Sequence, residues 1–415
     1  MRRSRPPAAA TGVAGVSRVA LPPERERPPP GREAAAPSDG APPDGATAAG
    51  SAEATRTADT SRQAGREPFF DNAKYLAIVL VASAHAWEPY LGDSRAATAL
   101  YMFVYAFHMP AFIVISGYFS RGFELTARRM PRLVAGVLVP YLLFEVAYAY
   151  FYRWTDHDPD YPIDATDPQF LNWFLLALFL WRLSTPLWRA LRWPLPIALL
   201  VAVLSSVTPS VGDGLDLQRS LQFLPFFVLG LRLRPEHFTA LRHPRVRLAA
   251  LPATAGALVF AYWAAPRLNH EWFYHRDSAQ ELGVPAVTGG VMSLGLFACS
   301  LVLTCCFLAW VPRRRLWCTA LGAGTLYGYL LHGFLIKGSV RWGWYDPAWP
   351  NAPYGMVAVT VLAAAGVTLL CTSPVRRVFR FVVEPRMRWF FRDDPVAEAR
   401  GRARPGSAPP GDSGR

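Results

Sequence analysis

Lys74 and His85 stand eleven positions apart inside FFDNAKYLAIVLVASAHAWEPY, an otherwise apolar stretch running from Phe69 to Tyr90. Eleven residues make close to three helical turns. In a helix both side chains therefore share nearly one face, about 16 Å apart along the axis. The stretch is long enough to cross a bilayer, and ionisable groups inside a span are costly enough to point to function. A histidine so placed is a candidate general base, because imidazole takes and returns a proton around neutrality. Glu88, one turn beyond His85, either bonds the other ring nitrogen and holds the useful tautomer or sits at the outer interface. Its spacing leaves both roles open.

Two more histidines lie within apolar runs, His108 in YAFHMPAFIVISGY (Tyr105–Tyr118) and His332 in LYGYLLHGFLIKG (Leu326–Gly338). One histidine in a membrane helix is usually a polar group satisfied across a helix interface. Three at mid-depth on different spans, with Lys74, Glu88, Glu145 and Lys337 nearby in sequence, point instead to a shared cavity. Pro110 is expected to kink the second span and open backbone carbonyls toward that cavity. Ser116-Gly117 reads as a small-residue helix contact rather than a nucleophilic serine. Arg128–Arg129–x–x–Arg132 could hold phosphates bidentately, as a diphosphate-bearing coenzyme would require, or could serve topology and lipid contact alone.

The elements that carry these residues are membrane helices. The chain has 415 residues, 52% of them hydrophobic, and its apolar runs are too long and too frequent for a soluble domain. Its 14 Trp and 16 Tyr suit interfacial aromatic belts. The net charge of +13 comes largely from Arg residues gathered between apolar runs, which is the pattern of cytoplasmic loops against anionic lipid and argues against nucleic-acid binding. The five Cys lie in or beside apolar runs, with no zinc-ligand or disulfide spacing. They read as small buried hydrophobes.

After the Phe69–Tyr90 span, nine more are expected at about 97–120, 132–152, 170–188, 193–210, 219–233, 247–266, 285–311, 319–340 and 353–372. Arg-rich connections alternate with acidic or mixed ones: Thr155–Asp167, Val211–Asp216 and Tyr274–Glu281. Under the positive-inside rule this places both termini of an all-α, roughly ten-span bundle in the cytoplasm, the chain being a multi-pass cell-membrane protein. Residues 1–65 are rich in Pro, Ala, Gly, Arg and Ser and read as a disordered tail. Residues 66–380 read as the membrane domain. Residues 381–415 read as the end of a basic amphipathic surface segment (Arg376–Arg392) and a disordered tail. No metal site is expected: the acidic Thr155–Asp167 loop lacks an EF-hand pattern and reads as a solvated outer loop.

Several segments resemble one known family. These are FFDNAK with the Lys74-to-His85 spacing, FHMPAFIVISGYF (Phe107–Phe119), the Arg129–Arg132 pair, WFLLALFLWRL (Trp173–Leu183), RSLQFLPFFVLGL (Arg219–Leu231) and YGYLLHGF (Tyr327–Phe334). In this order they resemble the acyltransferase-3 group of integral-membrane acyltransferases, especially its fucose 4-O-acetylase-like branch. The likeness runs from about Phe69 to Arg380, with Lys at position 74 where many relatives have Arg. It implies an O-acyltransferase that moves an acyl group, usually acetyl, from cytoplasmic acyl-coenzyme A to a carbohydrate or glycoconjugate hydroxyl, with no bound cofactor. It also implies roles. Arg128, Arg129 and Arg132 would hold the coenzyme phosphates, and Lys74 would stabilise charge near the thioester. His85 would deprotonate the acceptor or carry the acyl group itself, while His108 and His332 would position the acceptor or stabilise the oxyanion. The competing reading is a proton-coupled secondary transporter, since buried His, Lys and Glu also build proton relays.

Overall fold

The computed structural model describes residues 67–126, 129–209, 211, 214–385, 387 and 390. The expected tail over 1–65, Arg128, and most of 381–415 lie outside the described residues. The described chain is all-helical, with no strand.

The helix α1 (Pro68–Ala86) starts with Pro in its first turn and Asp71 near its positive end, both favourable there. It stops at Trp87, after which Glu88–Tyr90 forms a single 3₁₀ turn. Ser94 caps α2 (Arg95–Tyr105) by accepting from the Ala97 N–H at 3.3 Å. The chain then breaks at residues 106–107 before α3 (His108–Ser120). Pro110 falls in the first turn of α3, where its missing N–H costs nothing, so the break lies N-terminal to His108 rather than at the proline. The series continues with α4 (Met130–Thr155), α5 (Trp173–Ala190), α6 (Pro194–Ser206), α7 (Leu217–Arg232), α8 (Pro244–Ala264) and α9 (Ala286–Trp310). It ends with α10 (Thr325–Arg341), α11 (Gly355–Leu370) and α12 (Ser373–Val383). A wider π-turn at Val134–Leu138 interrupts α4.

Every expected span coincides with a helix or, for 97–120, with the pair α2 and α3. Among the described residues, four units are long and apolar enough to cross a membrane by length and composition: residues 95–120, α4, α8 and α9. The pair α11 and α12, bent by 67°, adds a fifth. The remaining expected spans are shorter, like the 13 residues of α6, or more polar, like α1 with Asp71 and Lys74. Helix α8 turns Leu248, Leu251, Val259, Phe260 and Trp263 outward, an apolar face suited to lipid.

Helix α1 runs through the core. Ile78, Val81 and Ala82 are almost fully buried, and α1 packs against α2, α3, α10, α11 and the 3₁₀ segment Trp317–Gly324. Helices α3 and α7 approach closely through two glycines. A Cβ on Gly230 would come within 2.9 Å of the Gly117 Cα, so neither position has room for a side chain.

The two kinds of connection gather separately. Arg121 donates to the Leu233 carbonyl at 2.9 Å, Arg313 to the Thr239 hydroxyl at 3.2 Å, and Asn72 to the carbonyls of Pro312 and Arg314 at 2.8 and 3.1 Å. These contacts tie the Arg-rich connections to the start of α1. The acidic connections Thr155–Asp167, Val211–Asp216 and Tyr274–Glu281 converge on one cavity of about 650 Å³, and the Leu215 N–H bonds the Thr166 carbonyl to join two of them.

Candidate active site

His85 ends α1 with its imidazole pointing into a cavity of about 300 Å³, lined among others by Val81, Glu88, Tyr105, His108, Arg219 and Lys337. The ring is fixed from one side. Its Nδ1 lies 2.6 Å from Glu88 Oε1 and 3.1 Å from the Tyr105 hydroxyl. The 3₁₀ turn after α1 makes this possible by folding Glu88 back over the helix end. A carboxylate can only accept, so Nδ1 carries a proton, and in the neutral tautomer Nε2 is the nitrogen with the lone pair. The other carboxylate oxygen, Oε2, lies 3.4 Å from Lys337 Nζ, which itself sits 4.0 Å above the Phe170 ring. Of the two arrangements open to Glu88, the contact with the His85 ring nitrogen is the one present.

The other two histidines join this centre. The His332 ring centroid is 5.8 Å from that of His85, and His108 packs edge-on to Tyr105 at 4.7 Å. Both are bound in the same way. His108 Nδ1 donates to the Val104 carbonyl at 2.9 Å, one of the carbonyls at the break between α2 and α3. His332 Nδ1 donates to the carbonyls of Gly328 and Tyr329 at 2.9 and 2.8 Å. Each neutral ring therefore presents Nε2 as an acceptor. His332 Nε2 is buried, has no partner among the described residues, and His332 is not among the residues lining the His85 cavity. A neutral ring held this way is suited to accepting a hydrogen bond from a hydroxyl, the first of the two roles expected for these histidines.

Several residues around the cavity were not singled out from sequence. Tyr105 stacks on Tyr101 at 4.0 Å, and the Tyr101 hydroxyl meets that of Tyr274 at 2.8 Å. Arg219 donates to the Tyr274 carbonyl at 3.0 Å and pairs with Asp216 at 3.1 Å. These come from loops and helix ends distant in sequence, so only their shared placement distinguishes them from ordinary interfacial residues. Asp216, Tyr274 and Arg276 also line the acidic cavity, which makes it the antechamber of the His85 cavity. Outside the membrane-spanning helices, burial pushes the Asp277 carboxyl up.

Lys74, Glu145 and the arginine pair lie elsewhere. Lys74 pairs with Asp71 at 2.8 Å and faces a separate cavity of about 670 Å³. Glu145 is buried and takes the Gln169 N–H at 3.0 and 3.1 Å, which anchors the end of the acidic loop. Arg132 is exposed and Arg129 half-buried, its guanidinium 4.0 Å from the Glu124 carboxylate, and neither lines the Lys74 cavity or the His85 cavity. Arg128 lies outside the described residues. No group of three or more His, Cys, Asp or Glu that could hold a metal occurs among the described residues.

An imidazole nitrogen, oriented by a carboxylate and lining a cavity with a further hydrogen-bond acceptor at His108, can remove a proton from a bound hydroxyl. Comparisons with known proteins agree with that chemistry. A family model described as an acyltransferase domain matches residues 67–374. The nodulation protein NolL of Sinorhizobium fredii (strain NBRC 101917 / NGR234) is 26% identical over 350 residues, covering 77% of this chain and 92% of its own length. No solved structure matches. With the family model covering most of the chain, including all three histidines and Glu88, the protein belongs to the acyltransferase-3 family and is an acyltransferase.

Proposed function

We propose that this protein is an O-acyltransferase of the cell membrane that transfers an acyl group, most simply acetyl, from acyl-coenzyme A to a hydroxyl of a carbohydrate or glycoconjugate. The observation that carries this reading is the Glu88–His85 pair, with an unengaged Nε2 facing the cavity. His85 Nε2 takes the proton of the acceptor hydroxyl as its oxygen attacks the thioester carbonyl. The C–S bond then breaks, and the imidazolium returns the proton to the leaving thiolate. Glu88 holds the tautomer and stabilises the imidazolium, as the carboxylate does in a Ser-His-Asp triad. With Nδ1 held by Glu88, general-base catalysis is favoured here over acyl transfer through His85.

His108 positions the acceptor by taking a hydrogen bond from one of its other hydroxyls at Nε2, while His332, buried beside the His85 ring, supports that ring from behind. The oxyanion donor is then Tyr105. Its oxygen can share the Nδ1–H of His85, which leaves its own proton free to point into the cavity. The many aromatic faces around the site suit the apolar faces of a sugar ring.

The donor enters from the side carrying the Arg-rich connections, which the positive-inside rule makes cytoplasmic, together with the tails 1–65 and 381–415 that flank the membrane domain 66–380. The acceptor enters through the acidic antechamber on the opposite side. Its carboxylates repel the phosphates of acyl-coenzyme A and tolerate a neutral or amino sugar.

The test is acyl transfer by the purified full chain in lipid nanodiscs, with acetyl-coenzyme A and a panel of oligosaccharide acceptors. Transfer by the wild type and none by His85→Ala supports the reading. Near-normal turnover by His85→Ala would sink it.

A further inference from the structure

We propose that the Lys74 cavity is a phosphate site, and that Arg121 and Arg182, rather than the Arg129–Arg132 pair, hold the diphosphate of the acyl donor. The assignment rests on the acyl-coenzyme A reading above and says where its phosphates go.

The cavity of about 670 Å³ is lined by Lys74 and Asp71 from α1, Phe112 and Ser116 from α3, Arg121 just past the end of α3, and Arg182 from α5. Asp71 pairs with Lys74 at 2.8 Å, and Glu67 is the remaining acid of the lining. The two guanidinium groups have no carboxylate partner among the described residues. Arg182 donates from Nε to the Ser120 hydroxyl at 3.2 Å. Arg121 donates to the carbonyls of Tyr118 and Leu233, both at 2.9 Å, and lies 3.7 Å over the Tyr118 ring. Both are thus held in place by neutral groups with charge and N–H donors to spare. Guanidinium in that condition is suited to bidentate capture of phosphate oxygens.

The position fits a donor that must reach His85. The two cavities follow each other along the same two helices. On α1 the lower lining holds Lys74 and the upper holds Val81 and His85. On α3 the lower lining ends at Phe112 and the upper begins at Met109, one turn apart. Lys74 and His85 are separated by about 16 Å along the axis. The pantetheine arm of coenzyme A has about a dozen bonds between its diphosphate and its sulfur, which at roughly 1.2 Å of advance per extended bond covers about 15 Å. A diphosphate at Arg121 and Arg182 therefore delivers the thioester to His85.

A phosphate-bearing lipid could bring the same head chemistry to this cavity, and the experiment separates the two sources. Equilibrium binding of radiolabelled coenzyme A is measured on the purified full chain in phosphatidylcholine nanodiscs, a readout that needs no acyl transfer. Arg182→Gln is the cleaner variant, because Arg121 also ties two connections together. Arg182→Gln and Arg121→Gln should each weaken coenzyme A binding at least tenfold, with thermal unfolding of Arg182→Gln close to wild type. Binding of coenzyme A to a normally folded Arg182→Gln within twofold of wild type would overturn the proposal. If phosphatidylglycerol in the nanodisc competes with coenzyme A and is retained by the wild type but lost from both variants, the site is a lipid-headgroup site and the donor assignment is overturned. If the wild type binds no coenzyme A but binds inorganic diphosphate in an Arg182-dependent way, the phosphate site stands and the acyl-coenzyme A reading fails.

Discussion

Glu88 bridges His85 and Lys337, with one carboxylate oxygen 2.6 Å from the imidazole Nδ1 and the other 3.4 Å from the ammonium. The carboxylate side chain is 27% exposed and the imidazole 11%. The pair thus stands at the edge of the core, open to substrate but largely shielded from bulk water. Glu88→Gln keeps the shape of the bridge but removes its charge and lets the imidazole adopt the wrong tautomer. It should lower kcat by roughly 10²-fold with a much smaller change in acceptor KM, the range expected for crippling a general base. Steady-state kinetics at saturating donor checks this.

His108→Phe removes an acceptor nitrogen from the lining of the cavity while keeping an aromatic ring. It should raise acceptor KM by about tenfold, the loss of one hydrogen bond of about 1–1.5 kcal/mol, with kcat reduced less. A drop in kcat alone would instead argue that this ring acts on the reacting atoms.

Gly230→Ala places a methyl group where α3 and α7 touch, 2.9 Å from the Gly117 Cα. The cost of such overpacking is about 1–3 kcal/mol, so the variant should unfold at lower temperature in detergent. Thermal unfolding followed by tryptophan fluorescence reads the shift. Gly256→Ala on α8, where a Cβ meets nothing within 4 Å, is the control with no expected loss.

Arg341 meets Asp156 with two hydrogen bonds, from Nη2 at 2.9 Å and Nε at 2.5 Å, and these hold the Asp156 carboxyl below its usual range. A carboxyl with a lowered folded pKa adds stability that is complete above its unfolded value, about 3.9, and is lost as pH falls through the folded value. Asp156→Asn should therefore lower the unfolding temperature at pH 7, and the gap to wild type should close as pH falls below about 4. The pair is partly solvated, so the effect is about 0.2–1 kcal/mol.

Arg129 and Arg132, which line neither cavity, are proposed to act on the donor from a distance. Their joint replacement by Ala should lower kcat/KM for acyl-coenzyme A a few-fold at low salt, with the difference vanishing at high salt. A salt-independent loss would place them in direct contact with the donor.

The ten apolar runs and the three histidines were legible in the sequence because each depends on local pattern. A helix needs only its own residues, and a histidine in an apolar run is conspicuous wherever it lies. The Glu88 contact was half legible: its spacing allowed the bond, but the 3₁₀ turn Glu88–Tyr90 that closes it begins only where α1 stops at Trp87. Arg182 and Arg121 were visible only as members of Arg-rich connections. Their placement beside Lys74 arises from the packing of α1, α3 and α5, which sequence spacing does not encode. Conversely, the compact Arg128–Arg129–x–x–Arg132 motif drew attention by proximity in sequence, whereas the two arginines that reach the cavity are 61 residues apart.

The three acidic connections belong to different helical hairpins and meet around one antechamber, while the histidines stand on helices. Under the proposed function, chemistry and acceptor entry are thus built from different parts of the chain. An ancestral gene could then change which sugar it modifies by altering loops that tolerate insertion, without disturbing α1, α3 or α10. The fold thereby gives one reaction a route to many products, and chimeras exchanging only those loops would be the direct way to redirect it.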